Sequence, residues 1–404
     1  MKKIGEIELG NGMRIFYNRI ESYIVYGQLS INSGSLMEEE GKRGCAHLLE
    51  HCLFRGSEKY PTRKHIERAF ANLGVKPNAN TGFRQTNFPV KNIQRNFLPA
   101  LEAVADIAFS PLLSRIGLEE EKNIVLHELG QYEDHLEFIN ERLFNKVFFR
   151  GTKAEKMIIG NRGDIIRVKH CDVLKFHEEN YTPANADFYV GGDIDKACLE
   201  GICSILGRFS DGEKIDSVSI KLQELNENEI VKESIKGLQR TYGKIIFRTP
   251  ISSNEEEVFM PMLSYVLNGS GRSSLFEKIR QRKGMAYEIY TKSISDKDFG
   301  YLYVSFSVEP KKADEVIQTC IEHFKVFNPA QREVEMARTA LELQYAKELD
   351  ERGSAFSDFL ALEKNGIDRN EYRRRALETT QKDLIEFAQK YLSGTHQIAL
   401  LVPK

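Results

Sequence analysis

The stretch from Cys45 to Pro61, CAHLLEHCLFRGSEKYP, sets His47 and His51 four residues apart, with Glu50 immediately before the second. On a helix, positions i and i+4 share a face and i+3 lies beside them. Both imidazoles can therefore point at one spot, with the Glu50 carboxylate at its edge. Two neutral imidazoles are good first ligands for Zn²⁺, which takes about four N, O or S donors at roughly 2 Å. A carboxylate placed there can accept a proton from a water on such a metal. H-x-x-E-H is the inverted form of the zinc signature H-E-x-x-H. The flanking residues AHLL and CLF are apolar, so the group would sit in a shielded site, where unpaired His and Glu carry a desolvation penalty.

A catalytic zinc needs a third protein ligand and an open fourth position. The segment LEEEKNIVLHELGQYED offers candidates in Glu121 and Glu128, seven residues or two helical turns apart, on a stripe with Ile124 and Val125. Glu119 and Glu120 read as a solvated face. His127 is turned about 100° from Glu128 on a helix and, with His135, falls outside the group. In the second half, SSLFEKIRQRKGMAY carries Arg280 and Tyr287 across a helix end and the next strand. Spacing alone makes them a surface arginine and a packing tyrosine. LNGSGRSS lacks the full phosphate-loop pattern and reads as a flexible loop.

These residues need elements to hold them. IGEIEL, MRIFYN and YIVYGQLSIN alternate as strands do, with GNG as a turn signal. Helical periodicity runs from about Arg43 to Leu53 and from Thr62 to Leu73. It returns through IQRNFLPALEAVADIAF and the long run GLEEEKNIVLHELGQYEDHLEFINERLFNKVFF. NANTGFRQTNFPV reads as one strand, and NADFYVGGDI as another. A polar stretch, GRFSDGEKIDS, then looks like a linker, and a second pass begins. YGQLSIN at Tyr26 is echoed by YGKIIFR at Tyr242, and RKHIERAFANLGV by SLFEKIRQRKGMA. Either a duplicated unit or two similar domains follows. The expectation is an α+β chain with domains at 1–206 and 236–404 joined by a linker region at 207–235.

The 404 residues exceed one ordinary core. A net charge of −2 gives no electrostatic case for nucleic acid or an anionic membrane as partner. No apolar run reaches membrane-spanning length, and the start lacks an apolar segment after its lysines. The six cysteines show no CxxC spacing and read as reduced thiols. A cytoplasmic protein is expected.

His47-Leu48-Leu49-Glu50-His51 followed by Glu121 and Glu128 resembles the inverzincin peptidases of the pitrilysin and insulin-degrading-enzyme family, M16, in its short-chain branch. HLLEHCLFRGSEKYP, NANTGFRQTNF, NYTPANADFYVGGDID and LNGSGRSSLFEKIRQRKGMAY fall in the family's order. The resemblance implies zinc held by His47, His51 and Glu128, with Glu50 as general base and Glu121 supporting the site from behind. It implies that Arg280 and Tyr287 hold the substrate backbone and that Tyr287 stabilises the oxyanion. It also implies two homologous domains, each a mainly antiparallel sheet packed with helices. Together they form half of a clamshell completed by dimerisation, with a homodimer favoured over a heterodimer. Peptide substrate is expected to lie extended against NANTGF, touching Asn78 and Ala79. Competing readings are a non-catalytic subunit and a peptide-binding protein with structural zinc.

Overall fold

The computed structural model describes all residues except 1–3, 270, 272, 283 and 352, and omits the side chains of residues 281 and 282. Among these residues the chain divides into two compact units, each with its own sheet. The first sheet contains β1 (Ile4–Glu8), β2 (Arg14–Arg19), β3 (Val25–Ile31), β4 (Asn80–Thr81), β5 (Thr86–Asn92) and β6 (Ala186–Gly192), in the order β1-β2-β6-β3-β5-β4. The second contains β7 (Glu229–Ile235), β8 (Thr241–Arg248), β9 (Ala286–Ser295), β10 (Gly300–Val308) and β11 (Gln397–Pro403), in the order β7-β11-β8-β10-β9.

Set side by side, β2-β6-β3-β5-β4 and β7-β11-β8-β10-β9 are the same arrangement in the same chain order. In each, the first pair is parallel and every other pair antiparallel. The fold is α+β and built twice. The YG echo has a packing reason. A Cβ on Gly27 would lie 2.8 Å from the Phe97 ring, and one on Gly243 would lie 2.2 Å from the Phe306 ring. In both sheets a phenylalanine lies over the strand where only glycine leaves room.

The units are not the contiguous stretches read from the sequence. The first takes in 1–134, 156–218 and 352–363; the second takes in 135–155, 219–351 and 364–404. Aromatic burial explains both exchanges. The long run read as one helix breaks at Asp134 into Arg115–Glu133 and Leu136–Phe148. The latter lays Phe144 and Phe148 against Tyr301 of β10, with ring centroids 4.9 and 5.0 Å away. Conversely, Phe356 and Phe359 of the helix Ser354–Asn365 join Phe16 and Tyr189 of the first sheet. The stretch NANTGFRQTNFPV is also two strands rather than one. Gly82 N–H bonds Gln85 O at 2.8 Å and turns β4 back onto β5. No helix among the described residues is long and apolar enough to cross a membrane. All six cysteines are free.

Candidate active site

The helix Cys45–Leu53 buries Cys45, Ala46, Leu48, Leu49, Cys52 and Leu53, leaving His47, Glu50 and His51 half-buried on the remaining face. It starts two residues later than the sequence expectation because Gly44 is left-handed, with φ 92. A Cβ there would lie 2.5 Å from Ile159 O. Gly44 offers no side chain to cap the helix, and a distant residue does so instead. Glu38 Oε1 accepts the N–H groups of Gly44 at 3.1 Å and Ala46 at 2.9 Å. Glu38 is 1 % exposed.

Burial pushes the Glu38 carboxyl up to about 7 against the opposing pull of these two N–H groups and Arg43. The folded state therefore holds this proton where the unfolded chain, with a carboxyl near 4.5, has lost it. The contribution of this group to stability is fullest below pH 4.5, falls as pH rises to about 7, and is level above, a change of about 3 kcal/mol. Glu38→Gln keeps a cap acceptor but has nothing to titrate. Urea unfolding at pH 5 and pH 8 is expected to show the variant gaining on the wild type as pH rises; a constant difference would contradict this.

The helix Arg115–Glu133 supplies the second wall. Its buried stripe runs through Leu118, Glu121, Val125 and Leu129, with Glu128 half-buried at its edge. Ile124, expected on that stripe, is 40 % exposed. Glu119 and Glu120 are exposed, as expected. Ligand atoms of His47, His51 and Glu128 all lie within 4.8 Å of one another. His51 Nε2 is 3.5 Å from Glu128 Oε2, and the two imidazole centroids are 4.7 Å apart. Burial, then the neighbouring His51, lower the His47 pKa to about 4, so this ring is neutral near pH 7. Burial also works against a charged His51, but Glu121, Glu128 and Glu50 outweigh it and raise its pKa.

This donor set fits a zinc ion. Three lone-pair donors converge on one volume, and His47 Nδ1 is buried without a hydrogen-bond partner among the described residues. Glu121, fully buried, stands behind His51, whose Nδ1 lies 3.3 Å from Glu121 Oε2. Arg63 at 2.7 Å and Arg55 at 3.3 Å hold the other oxygen. Burial raises the Glu121 pKa, but His51 and the two guanidiniums outweigh it and keep the carboxyl below its usual range. Glu50 is raised, chiefly by burial, while Thr81 Oγ1 donates to its Oε2 at 2.5 Å.

Thr81 lies on β4, the edge strand of the first sheet, so the sheet edge and the carboxylate are linked directly. Asn78, exposed, and Ala79, half-buried, precede that strand and are not part of it. The sequence reading passed over Thr81, for which no local pattern exists. It also passed over Tyr132, which bonds Glu128 and could have been found from its i+4 spacing. Arg280 and Tyr287 belong to the second unit. Arg280, exposed on the π-helical turn Phe276–Arg282, stacks 5.1 Å from Phe276. Tyr287 is 48 % exposed at the start of β9, with the Arg240 guanidinium 3.7 Å from its ring centroid. The glycine-rich segment read as a loop includes residues 270 and 272, outside the described residues.

A duplicated sheet-and-helix unit whose first copy carries H-x-x-E-H facing a glutamate from a neighbouring helix is the arrangement that the family resemblance implies. The family model for insulinase (peptidase family M16) matches residues 18–162, and that for the peptidase M16 inactive domain matches 167–341. The chain belongs to peptidase family M16. An uncharacterized zinc protease of Rickettsia bellii is 25% identical over 409 residues, covering 98% of this chain and 97% of that one. The uncharacterized zinc protease YmxG of Bacillus subtilis is 25% identical over 274 residues, covering 68% of this chain and 66% of that one. Among solved structures, a protease from Helicobacter pylori has a TM-score of 0.87 at 19% identity, covering all of both chains.

Proposed function

We propose that the chain is a zinc-dependent metalloendopeptidase acting on short or unfolded peptides. The observation that carries the reading is the convergence of His47, His51 and Glu128 with Glu50 beside them. These three side chains would hold the ion. Zinc bound there supplies the Lewis acidity that activates water and polarises a peptide carbonyl. Glu50 takes the proton from the attacking water at a carboxylate oxygen and returns it to the leaving amine. A carboxyl whose pKa is raised by burial is suited to both halves of that exchange. Thr81 fixes one Glu50 oxygen and leaves the other for the proton.

Substrate is held extended along β4 by main-chain hydrogen bonds, with Asn78 and Ala79 at the strand's entry. The resemblance assigns Arg280 and Tyr287 to substrate holding and oxyanion stabilisation. Both are exposed in their own unit, as groups that meet a substrate must be. Arg240 beside the Tyr287 ring adds a positive charge suited to that role. We place the protein in the cytoplasm, in keeping with its free thiols, and take the working form to be a homodimer.

The match to an inactive domain favours a second reading, a non-catalytic subunit. That match covers 167–341, which contains none of His47, Glu50, His51, Glu121 and Glu128. It bears on the second half and leaves the first intact. One preparation tests both readings: metal analysis, light scattering and cleavage of quenched peptides, with chelator and zinc add-back. About one zinc per chain, a dimer, and activity lost to chelator and restored by zinc are expected. A metal-loaded dimer that cleaves nothing would establish the subunit reading instead.

A further inference from the structure

β4 is two residues long, the shortest strand of its sheet, and one residue of its partner explains why. Gly82 N–H bonds Gln85 O, so those two form a hydrogen-bonded pair. Along an antiparallel ladder every second pair is of that kind. Asn80 with Asn87 is the next, and the one after sets Asn78 against Pro89. Proline has no N–H to give to Asn78, and the ladder stops there. Residues 75–79 belong to no strand, although exposed and half-buried positions still alternate along them as in an extended chain. The other end is tied down. Gly82 O accepts from Ser35 N–H at 3.0 Å, and Phe83 O from Leu36 N–H at 2.9 Å. Thr81 stands where the fixed turn meets the unpaired run.

The same alternation aims Thr81 at the site. Its pair with Thr86 falls between hydrogen-bonded pairs, so its N–H and C=O, like those of Ala79, face away from β5. The Thr81 N–H bonds the Glu50 carboxyl, and Thr81 Oγ1 donates to Glu50 Oε2 at 2.5 Å. The carboxylate is thus held by a residue of the sheet edge rather than by its own helix. A peptide added along that edge bonds the outward groups of Ala79 and the Thr81 C=O. It supplies from outside the pairing that Pro89 denies from within, and it orders the strand that carries the Glu50 support.

We infer that Thr81 is a positioning residue through which a peptide docked on β4 aligns the Glu50 carboxylate, so that the length of peptide lying along the strand sets the rate of hydrolysis. The inference rests on the peptidase reading. It is tested with quenched peptides that share one scissile pair and are lengthened by stages on either side of it. Wild-type kcat is expected to rise about tenfold along the series, because binding far from the reacting bond is spent on alignment. Thr81→Val keeps the branched shape and loses the hydroxyl. Its kcat on the longest peptide should be about tenfold lower and nearly flat with length, the gain from length passing to KM. Thr81→Ser should recover most of that loss, which a merely space-filling role for the side chain would not give. Hydrogen exchange on the full chain with chelator present supplies a readout apart from turnover. The longest peptide should slow exchange at residues 75–81 in the wild type and in Thr81→Val alike, since docking does not need the hydroxyl. With a wild type that cleaves the series, four results would each overturn the inference alone: a Thr81→Val kcat equal to the wild type, a length dependence that this variant keeps, a serine variant no faster than the valine one, or exchange unaffected by peptide. A zinc-loaded wild type that cleaves none of the peptides would overturn the peptidase reading and this inference with it.

Discussion

Glu50→Gln is expected to hold zinc as the wild type does and to lose peptide hydrolysis by about 10³-fold or more. The two halves of that result come from different atoms. The donors that converge belong to His47, His51 and Glu128, and the amide of a glutamine at 50 removes none of them. The same amide cannot accept and release a proton. It can still accept from Thr81, so the link to β4 survives and substrate affinity should be nearly unchanged. The measurement is metal content by mass spectrometry alongside kcat and KM on a quenched peptide. A fall in kcat with KM preserved isolates proton transfer. Turnover at the wild-type rate would remove Glu50 from the chemistry, and loss of zinc would recast it as part of the metal cradle.

The part of this site that is legible in the sequence is the part set by helical periodicity. His47, Glu50 and His51 lie within five residues, and the 3.6-residue repeat places them on one face whatever the rest of the chain does. The duplication is legible for a packing reason, since Gly27 and Gly243 each yield space to a phenylalanine and so keep the same dipeptide in equivalent strands. What escapes the sequence is pairing over distance. The link from Thr81 to Glu50 spans 31 residues, and that from Glu38 to Gly44 depends on a left-handed glycine rather than on any capping pattern. Likewise the helical pattern continues through Asp134, where neither a proline nor a glycine stands, and the helix passes Gly130 unbroken. The break there is imposed by where Phe144 and Phe148 find their partners, within the second unit to which all of them belong. Local periodicity cannot show which sheet a helix will cover.

Glu121→Gln is expected to weaken zinc binding by about 10- to 100-fold while leaving kcat near the wild-type value once zinc is saturating. His51 turns Nε2 towards Glu128 and Nδ1 towards Glu121, so the buried carboxylate decides which ring nitrogen keeps its proton and which is free to donate a lone pair. A glutamine preserves the shape and can still accept from His51, but it withdraws the negative charge that makes the imidazole a stronger donor. It also leaves Arg63 and Arg55 facing a neutral amide in a buried setting, which adds a loss of stability. The two effects are separated by titrating zinc against a chelator of known affinity and by recording the thermal midpoint of the metal-free protein. Weakened zinc affinity with recovery of turnover at high zinc marks Glu121 as a positioning residue. A variant that unfolds more easily but binds zinc as tightly as the wild type would show that the carboxylate serves only the two arginines.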